Sequence, residues 1–453
     1  MHQRRLFRTV LAATAVMLVL ASAAPSATAA SGATSTHYTG SLADGATWIA
    51  DVPASWNGTI ILYSHGFGPL TAQDAPDPAT QADLLGLGYA LAGSSYSGPS
   101  WWALASAVQD QFASLAAVEK LTGRPRRTIA WGTSMGGLVS AEETQGSQGR
   151  IAGTLSTCGL VAGALSLNNY QLDGEYALNE LLAPSQHIQL VRYATAGQAN
   201  AAATALATVA GNAQATAQGR ARIALGAALL NEPTWFSGAT APPPADYGAQ
   251  EQQQADELSN FVLPFIMGAR YQIELAAGGN SSFTEGVNYA RVMQRSSFLP
   301  EVKSLYRAAG LNLDTDLAIL TRNADITADP GAIATLGRTS MVTGRLSVPE
   351  LDIHTIDDQL VPVEQENWYR QRVTRAGSSP LFRQAFVDAT GHCNFQPAGY
   401  IAALRALEYR LDTGRWGDLT QPGALNAAAS ATGLGAFDPY IPFEPPALVN
   451  ARS

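Results

Sequence analysis

Thr59–Ser64 (Thr-Ile-Ile-Leu-Tyr-Ser) is an unbroken β-branched and aromatic run that ends at His65-Gly66. A short run that is apolar throughout predicts a strand buried on both faces, as in a parallel sheet covered by helices. Residues 89–94, 128–132 and 151–156 repeat the signal. Between them the period turns helical. Val108, Phe112 and Leu115 recur at three- and four-residue spacing, with Gly123 as the stop, and residues 136–143 predict a helix directly after the third strand. Strands alternating with helices in this way predict an α/β fold with a mostly parallel central sheet.

The pattern then changes. From about residue 162 to 339 the chain is rich in Ala, Gln and Leu, with helical stretches such as 201–210 and 251–261 and a Pro-rich interruption at 241–245. Strand signals return at 351–356 and 382–387, followed by a helix over 397–411. A sheet that pauses and then resumes implies an insertion over one end of it. The expected division is a core of residues 37–160 and 345–413, a mostly helical cap of 161–344 between the sixth and seventh strands, and an irregular tail of 414–453. Two separate domains are the weaker alternative, because each flank needs the other to complete the sheet.

The first residues have the three-part pattern of an export signal: Arg4, Arg5 and Arg8, then an apolar run, then Ala27-Thr28-Ala29 as a small-residue cleavage site. Residues 1–29 are therefore expected to be removed and the mature protein secreted, by either the general or the twin-arginine route. The apolar run is too short to span a bilayer. Composition sharpens this. The net charge is −9 and charged residues are 14% of the chain, with no basic cluster beyond the turn at Arg124, Arg126 and Arg127, which argues against nucleic acid as a partner. The two cysteines, Cys158 and Cys393, are too few for a metal site. In an exported protein they are expected to pair, two buried thiols being the alternative.

The chemistry starts at Gly132-Thr133-Ser134-Met135-Gly136-Gly137, a G-x-S-x-G string between a predicted strand and a predicted helix. A nucleophile presented on so sharp a turn needs small flanking residues, and the helix behind it aims its positive end at the reacting atom. Of six histidines, His2 lies in the export signal, His37 near the expected mature terminus, His65 after the first buried strand, His187 in the insertion and His354 inside an apolar strand. His392 alone follows the last strand. Asp358-Gln359-Leu360-Val361-Pro362 follows the strand over 351–356, with Asp357 as a neighbouring competitor.

Together these residues resemble the α/β-hydrolase superfamily, over roughly 40–160 and 345–413. The resemblance implies Ser134 as nucleophile, His392 as general base and Asp358, from a D-x-x-V-P segment, as the acid that orients it. His65-Gly66-Phe67 resembles the oxyanion loop of that superfamily, which implies the Phe67 and Met135 N–H groups as oxyanion donors and a structural His65. It implies no metal and no organic cofactor. His392-Cys393 is similar to the tannase and feruloyl esterase pattern, in which a cystine ties the base loop to the nucleophile; here Thr133 precedes Ser134, and Cys158 is the expected partner of Cys393. Tyr96, Trp101 and Trp102 are candidates for lining a substrate pocket, ordinary packing being the alternative. The expected activity is hydrolysis of a small-molecule or polymeric carboxylic ester. A serine peptidase or amidase is the alternative, with Asp173 and Glu175 as acids that could hold a peptide amine, and a non-catalytic binding protein the third reading. Oligomeric state is left open.

Overall fold

The computed structural model describes residues 34–452 except 148, 236, 237 and 239. The expected export signal lies outside the described residues. Nine strands form one sheet: β1 (Ser35–Ser41), β2 (Thr47–Pro53), β3 (Thr59–Ser64), β4 (Ala90–Ser94), β5 (Arg127–Thr133), β6 (Gly153–Thr157), β7 (Glu350–Asp357), β8 (Phe382–Thr390) and β9 (Tyr440–Ile441). Their spatial order is β1-β2-β4-β3-β5-β6-β7-β8-β9. The run from β4 to β8 is parallel, and antiparallel pairings occur at β1–β2, β2–β4 and β8–β9.

Alternation along β3 divides the core. Ile60 and Leu62 pack with Ala90, Ala92 and Ala130 beneath Phe112, Leu115 and Val118 of the helix Leu104–Thr122. Ile61 and Tyr63 face the opposite way, onto Trp131, Leu155 and Ile353 under the helix Pro397–Thr413. Burial on both faces is why this strand reads as a continuous apolar run. After β3 the chain moves outward to β4 and then returns across β3 to β5. The crevice at the carboxyl ends of β3 and β5 is therefore a switch point, the place where open α/β sheets hold their ligands.

Among the described residues, everything between β6 and β7 is helical or irregular. Its central helix, Gly163–Leu182, is buried along almost its whole length. Gly174 and Gly226 permit its close approach to the helix Ala217–Leu230: a Cβ on Gly174 would lie 2.2 Å from Leu230 Cγ, and one on Gly226 2.6 Å from Leu178 Cδ2. Two buried acids of this helix, Glu175 and Asp173, are paired with arginines. Arg270 donates to both oxygens of Glu175 at 2.9 and 3.0 Å, with neither side chain exposed. Arg452 donates to both oxygens of Asp173 at 2.7 and 2.6 Å.

The tail departs from the irregular segment expected of it. Residues Pro422–Ser430 form a helix, and β9 adds an antiparallel edge to β8. Beyond them Asn450 and Arg452 reach back to Asp173, so the end of the chain is fastened to the inserted helices. Among the described residues, no helix is long and apolar enough to cross a membrane.

Candidate active site

The register Tyr63↔Trp131 and Ser64↔Gly132 sets the ends of β3 and β5 side by side. Ser134 follows β5 at φ 60° and ψ −123°, and the helix Met135–Gln145 begins at the next residue. Positive φ is costly for a residue with a Cβ and is held here by its surroundings. Ser134 N–H donates to Thr157 C=O at 3.0 Å. The flanking glycines are required by backbone approach: a Cβ on Gly132 would sit 1.7 Å from Gly136 O, and one on Gly136 1.8 Å from Ser64 O.

From the hydroxyl the contacts run in one line. His392 Nε2 is 2.7 Å from Ser134 Oγ, and His392 Nδ1 is 2.8 Å and 3.0 Å from the two carboxylate oxygens of Asp358. Asp358 is buried and accepts the N–H groups of Leu360 at 3.0 Å and Val361 at 2.8 Å. Burial alone would raise its pKa. The charges and hydrogen bonds of His392 and His354 outweigh that and hold the carboxyl far below its usual range. Asp357 makes no such contact. Its carbonyl accepts the Gly391 N–H at 3.0 Å, which fastens the loop carrying His392, and burial followed by the nearby Asp388 raises its carboxyl to about 7.

Cys158 and Cys393 form a disulfide with Cα atoms 5.3 Å apart. Cys393 Sγ lies 3.4 Å from His392 Nε2, so the bridge ties β6 directly to the loop that carries the imidazole.

The loop after β3 abuts Ser134. A Cβ on Gly66 would be 3.2 Å from Ser134 Cβ and 3.6 Å from its Oγ, which places the following residue, Phe67, at the edge of the site. Met135 is the first residue of its helix, so its N–H has no intrahelical acceptor. His65 is buried, with Nδ1 2.8 Å from Gly66 O and Nε2 3.3 Å from Ser95 O, and burial pushes its pKa down. Its ring stacks on Tyr96 at 4.2 Å.

A cavity of about 390 Å³ opens over Ser134 and His392. Phe67, Trp102, Leu167 and Leu360 line it, with Phe265 and Ile273 reaching in from the inserted helices. Trp102 is fixed by its indole N–H donating to Ser340 Oγ at 3.1 Å. The other two aromatic candidates lie elsewhere. Tyr96 is buried behind His65, and Trp101 is 42% exposed, edge-on to Phe67 with ring centres 5.9 Å apart. A larger cavity, about 510 Å³, lies at the β8–β9 edge beside Arg370 and Arg383 and contains none of Ser134, Asp358 or His392.

Two features of the site are not marked in the sequence pattern. Gln171 lies one helical turn beyond Leu167 on the cavity wall and is 5% exposed. His354, a strand residue by its apolar neighbours, sits against Asp358, with Nε2 3.5 Å from Asp358 Oδ2. The i, i+4 spacing of His354 and Asp358 was the available signal, but it carries meaning only once β7 ends between them.

No family model matches the chain. Over 433 residues, 88% of this chain and 92% of the relative, it is 29% identical to an o-phthalyl amidase of Xanthobacter agilis. Among solved structures, it is similar to feruloyl esterase B from Aspergillus oryzae at a TM-score of 0.41 and 14% identity, covering 84% of this chain and 80% of that one. It is similar to the rice cell wall degrading esterase LipA from Xanthomonas oryzae at 0.37 and 14%, covering 87% of each. With a strand order that reverses at β3, a serine on the turn between β5 and its helix, and Ser134, Asp358 and His392 following one another along the chain, this protein is an α/β-hydrolase in fold.

Proposed function

We propose that the chain is a serine hydrolase that cleaves a small carboxylic ester through an acyl-enzyme on Ser134. The observation that carries this reading is the unbroken line of contacts from Ser134 Oγ through His392 to Asp358. In the first step His392 Nε2 accepts the Ser134 proton as Oγ bonds to the substrate carbonyl carbon. The negative charge moves to the carbonyl oxygen, where the Phe67 and Met135 N–H groups are the assigned donors. His392 then delivers its proton to the departing alkoxide. Water, giving a proton to the same nitrogen, attacks the acyl carbon, and the proton returns to Ser134 as the acid leaves. Asp358 holds the Nδ1–H tautomer and stabilises the imidazolium formed in each half.

The cavity walls favour an acyl group with a flat apolar body, which Phe67, Trp102 and Phe265 can hold, and a polar substituent that the Gln171 amide can hydrogen-bond. Amide hydrolysis is the second reading, favoured by similarity to an o-phthalyl amidase along nearly the whole chain. A peptidase that grips an amine through Asp173 or Glu175 is disfavoured, because Arg452 and Arg270 already occupy both carboxylates. We also propose that the protein acts outside the cytoplasm, in keeping with its disulfide.

The test is turnover of p-nitrophenyl esters from acetate to palmitate, with benzoate, beside the matching anilides and phthalyl amides, and Ser134→Ala as control. Ester hydrolysis that disappears in Ser134→Ala is expected. Amide hydrolysis without ester hydrolysis would move the assignment to an amidase, and activity retained in Ser134→Ala would overturn the nucleophile.

A further inference from the structure

We propose that His354 is a positioning residue of the Ser134 site: a buried imidazolium, gripped by Glu366, that keeps the Asp358 carboxylate ionised and aimed at His392. This rests on the serine hydrolase reading above.

The side chains of His354, Glu366 and Asp358 are all fully buried. His354 Nε2 lies 2.8 Å from the Val361 carbonyl oxygen and Nδ1 lies 3.0 Å from Glu366 Oε1. A carbonyl oxygen can only accept, so Nε2 must carry a proton. Nδ1 then either donates to an ionised Glu366 or accepts from a protonated one. Gln384 donates to the backbone carbonyl and Oε2 of Glu366, leaving Oε1 to Nδ1, and a second acid, Asp358, faces the ring; two acids about one imidazole favour the doubly protonated ring. Both ring nitrogens are therefore donors, and the ring is a cation 3.5 Å from Asp358 Oδ2.

Alternation along β7 puts His354 on the same face as Glu350 and Asp352, and the helix Glu364–Arg375 brings Glu364 and Glu366 against that face. Around Asp358 stand Glu232 and Glu257 from the inserted region and Tyr170 from the central helix. His354 thus faces Asp358 from the loop after β7 and Glu364 and Glu366 from the helix, while Glu232 and Glu257 crowd Asp358 itself. Burial would lower its pKa, but Asp358 and Glu366 outweigh burial and raise it to about 10.

The consequence concerns the resting enzyme. To act as general base His392 must be free to accept the Ser134 proton, so the countercharge it gives Asp358 is completed only during the reaction. A buried carboxylate without one drifts toward its protonated form, and a protonated acid no longer fixes the imidazole tautomer. His354 supplies the missing charge from the side away from substrate. The Leu360 and Val361 N–H groups orient one oxygen of Asp358, and His354 faces the other.

Two measurements test this. The first is the 15N NMR signature of His354 in the full chain near neutral pH, assigned by its loss in His354→Gln. Two protonated ring nitrogens are expected, in wild type and in Ser134→Ala alike; a ring with one unprotonated nitrogen overturns the proposal. The second is the pH profile of ester hydrolysis in His354→Gln and Glu366→Gln. Removing the cation makes the hydrogen-bonded Asp358–His392 pair easier to protonate, so the acid limb of kcat/KM should move up by about one pH unit. In His354→Gln, kcat should fall about tenfold or more while KM stays within about twofold. Folded variants, labelled at Ser134 by a fluorophosphonate, that keep the wild-type limb would overturn the proposal. If neither variant folds, the wild-type resonance decides alone. Failure of wild type to hydrolyse any ester or amide would count against the serine hydrolase reading, whereas a neutral His354 in an active enzyme would count only against this one.

Discussion

Two adjacent aspartates at the end of β7 have opposite fates. Asp358 points back to His392, while Asp357 contributes its backbone to the His392 loop and keeps its carboxyl turned away. Asp358→Asn should therefore lower kcat by about 10⁴, the size expected when the base is held in the wrong tautomer, and Asp357→Asn should leave kcat within a fewfold. Steady-state rates of the two variants on one ester check this, and a larger loss in Asp357→Asn would reverse the assignment. At this scale the sequence was legible where chemistry is local. The glycines around Ser134 are dictated by backbone contacts, Gly132 with Gly136 on the same turn and Gly136 with Ser64 at the end of β3, and a G-x-S-x-G string records both in one short stretch. His354 and Glu366 take their meaning from partners in other elements, and no local spacing records that. The aromatic cluster after β4 divides for the same reason: Trp102 lines the cavity, whereas Tyr96 is buried under His65.

Elements were legible in proportion to their burial. The strands β3 to β8 are buried along most of their length, and their apolar runs match their observed bounds to within a few residues. β1 has polar residues and a largely exposed surface, and β9 is two residues long, so neither has a pattern to read. The helix Gly163–Leu182 hides its role differently, since Asn168, Asn169, Asp173 and Glu175 are polar yet buried. The disulfide also acts at this scale. It joins residues 235 apart, enclosing the inserted helices and β7 and β8 in one covalent loop. Chain-entropy reasoning gives about 5 kcal/mol as its upper contribution. Reduction should lower the melting temperature and depress kcat together, because the same bond that closes the loop also backs His392. Calorimetry and rate measurements on the reduced protein check both, and an unchanged kcat would show that the His392 loop is held without it.

Across the whole molecule the interior is rich in acids held in their protonated range. Burial raises Glu350 and Glu364 to about 7 and Glu257 and Glu301 to about 8, and carries Glu232 and Asp352 well above the ordinary value. Each such group binds a proton in the folded chain that the unfolded chain has already lost, so stability falls as pH rises through this range. His354, raised from 6.5 to about 10, has the same sign at higher pH: its contribution is complete below 6.5 and is lost as pH passes about 10. Asp358 has the opposite sign, its contribution being present above 3.8 and lost at lower pH. The melting temperature should therefore be higher near about pH 5 than near about pH 9, and scanning calorimetry across that interval checks it. A maximum on the alkaline side would mean that these acids are ionised in the folded protein.

The claim on which the rest depends is that Ser134 is the activated nucleophile. Reaction of the intact protein with a fluorophosphonate, followed by intact-mass and peptide mass spectrometry, tests it without any assumption about substrate. The account predicts one adduct, on Ser134, that is absent in Ser134→Ala and forms far more slowly in His392→Ala. No adduct under conditions where the protein is folded, or an adduct on another residue, would contradict it.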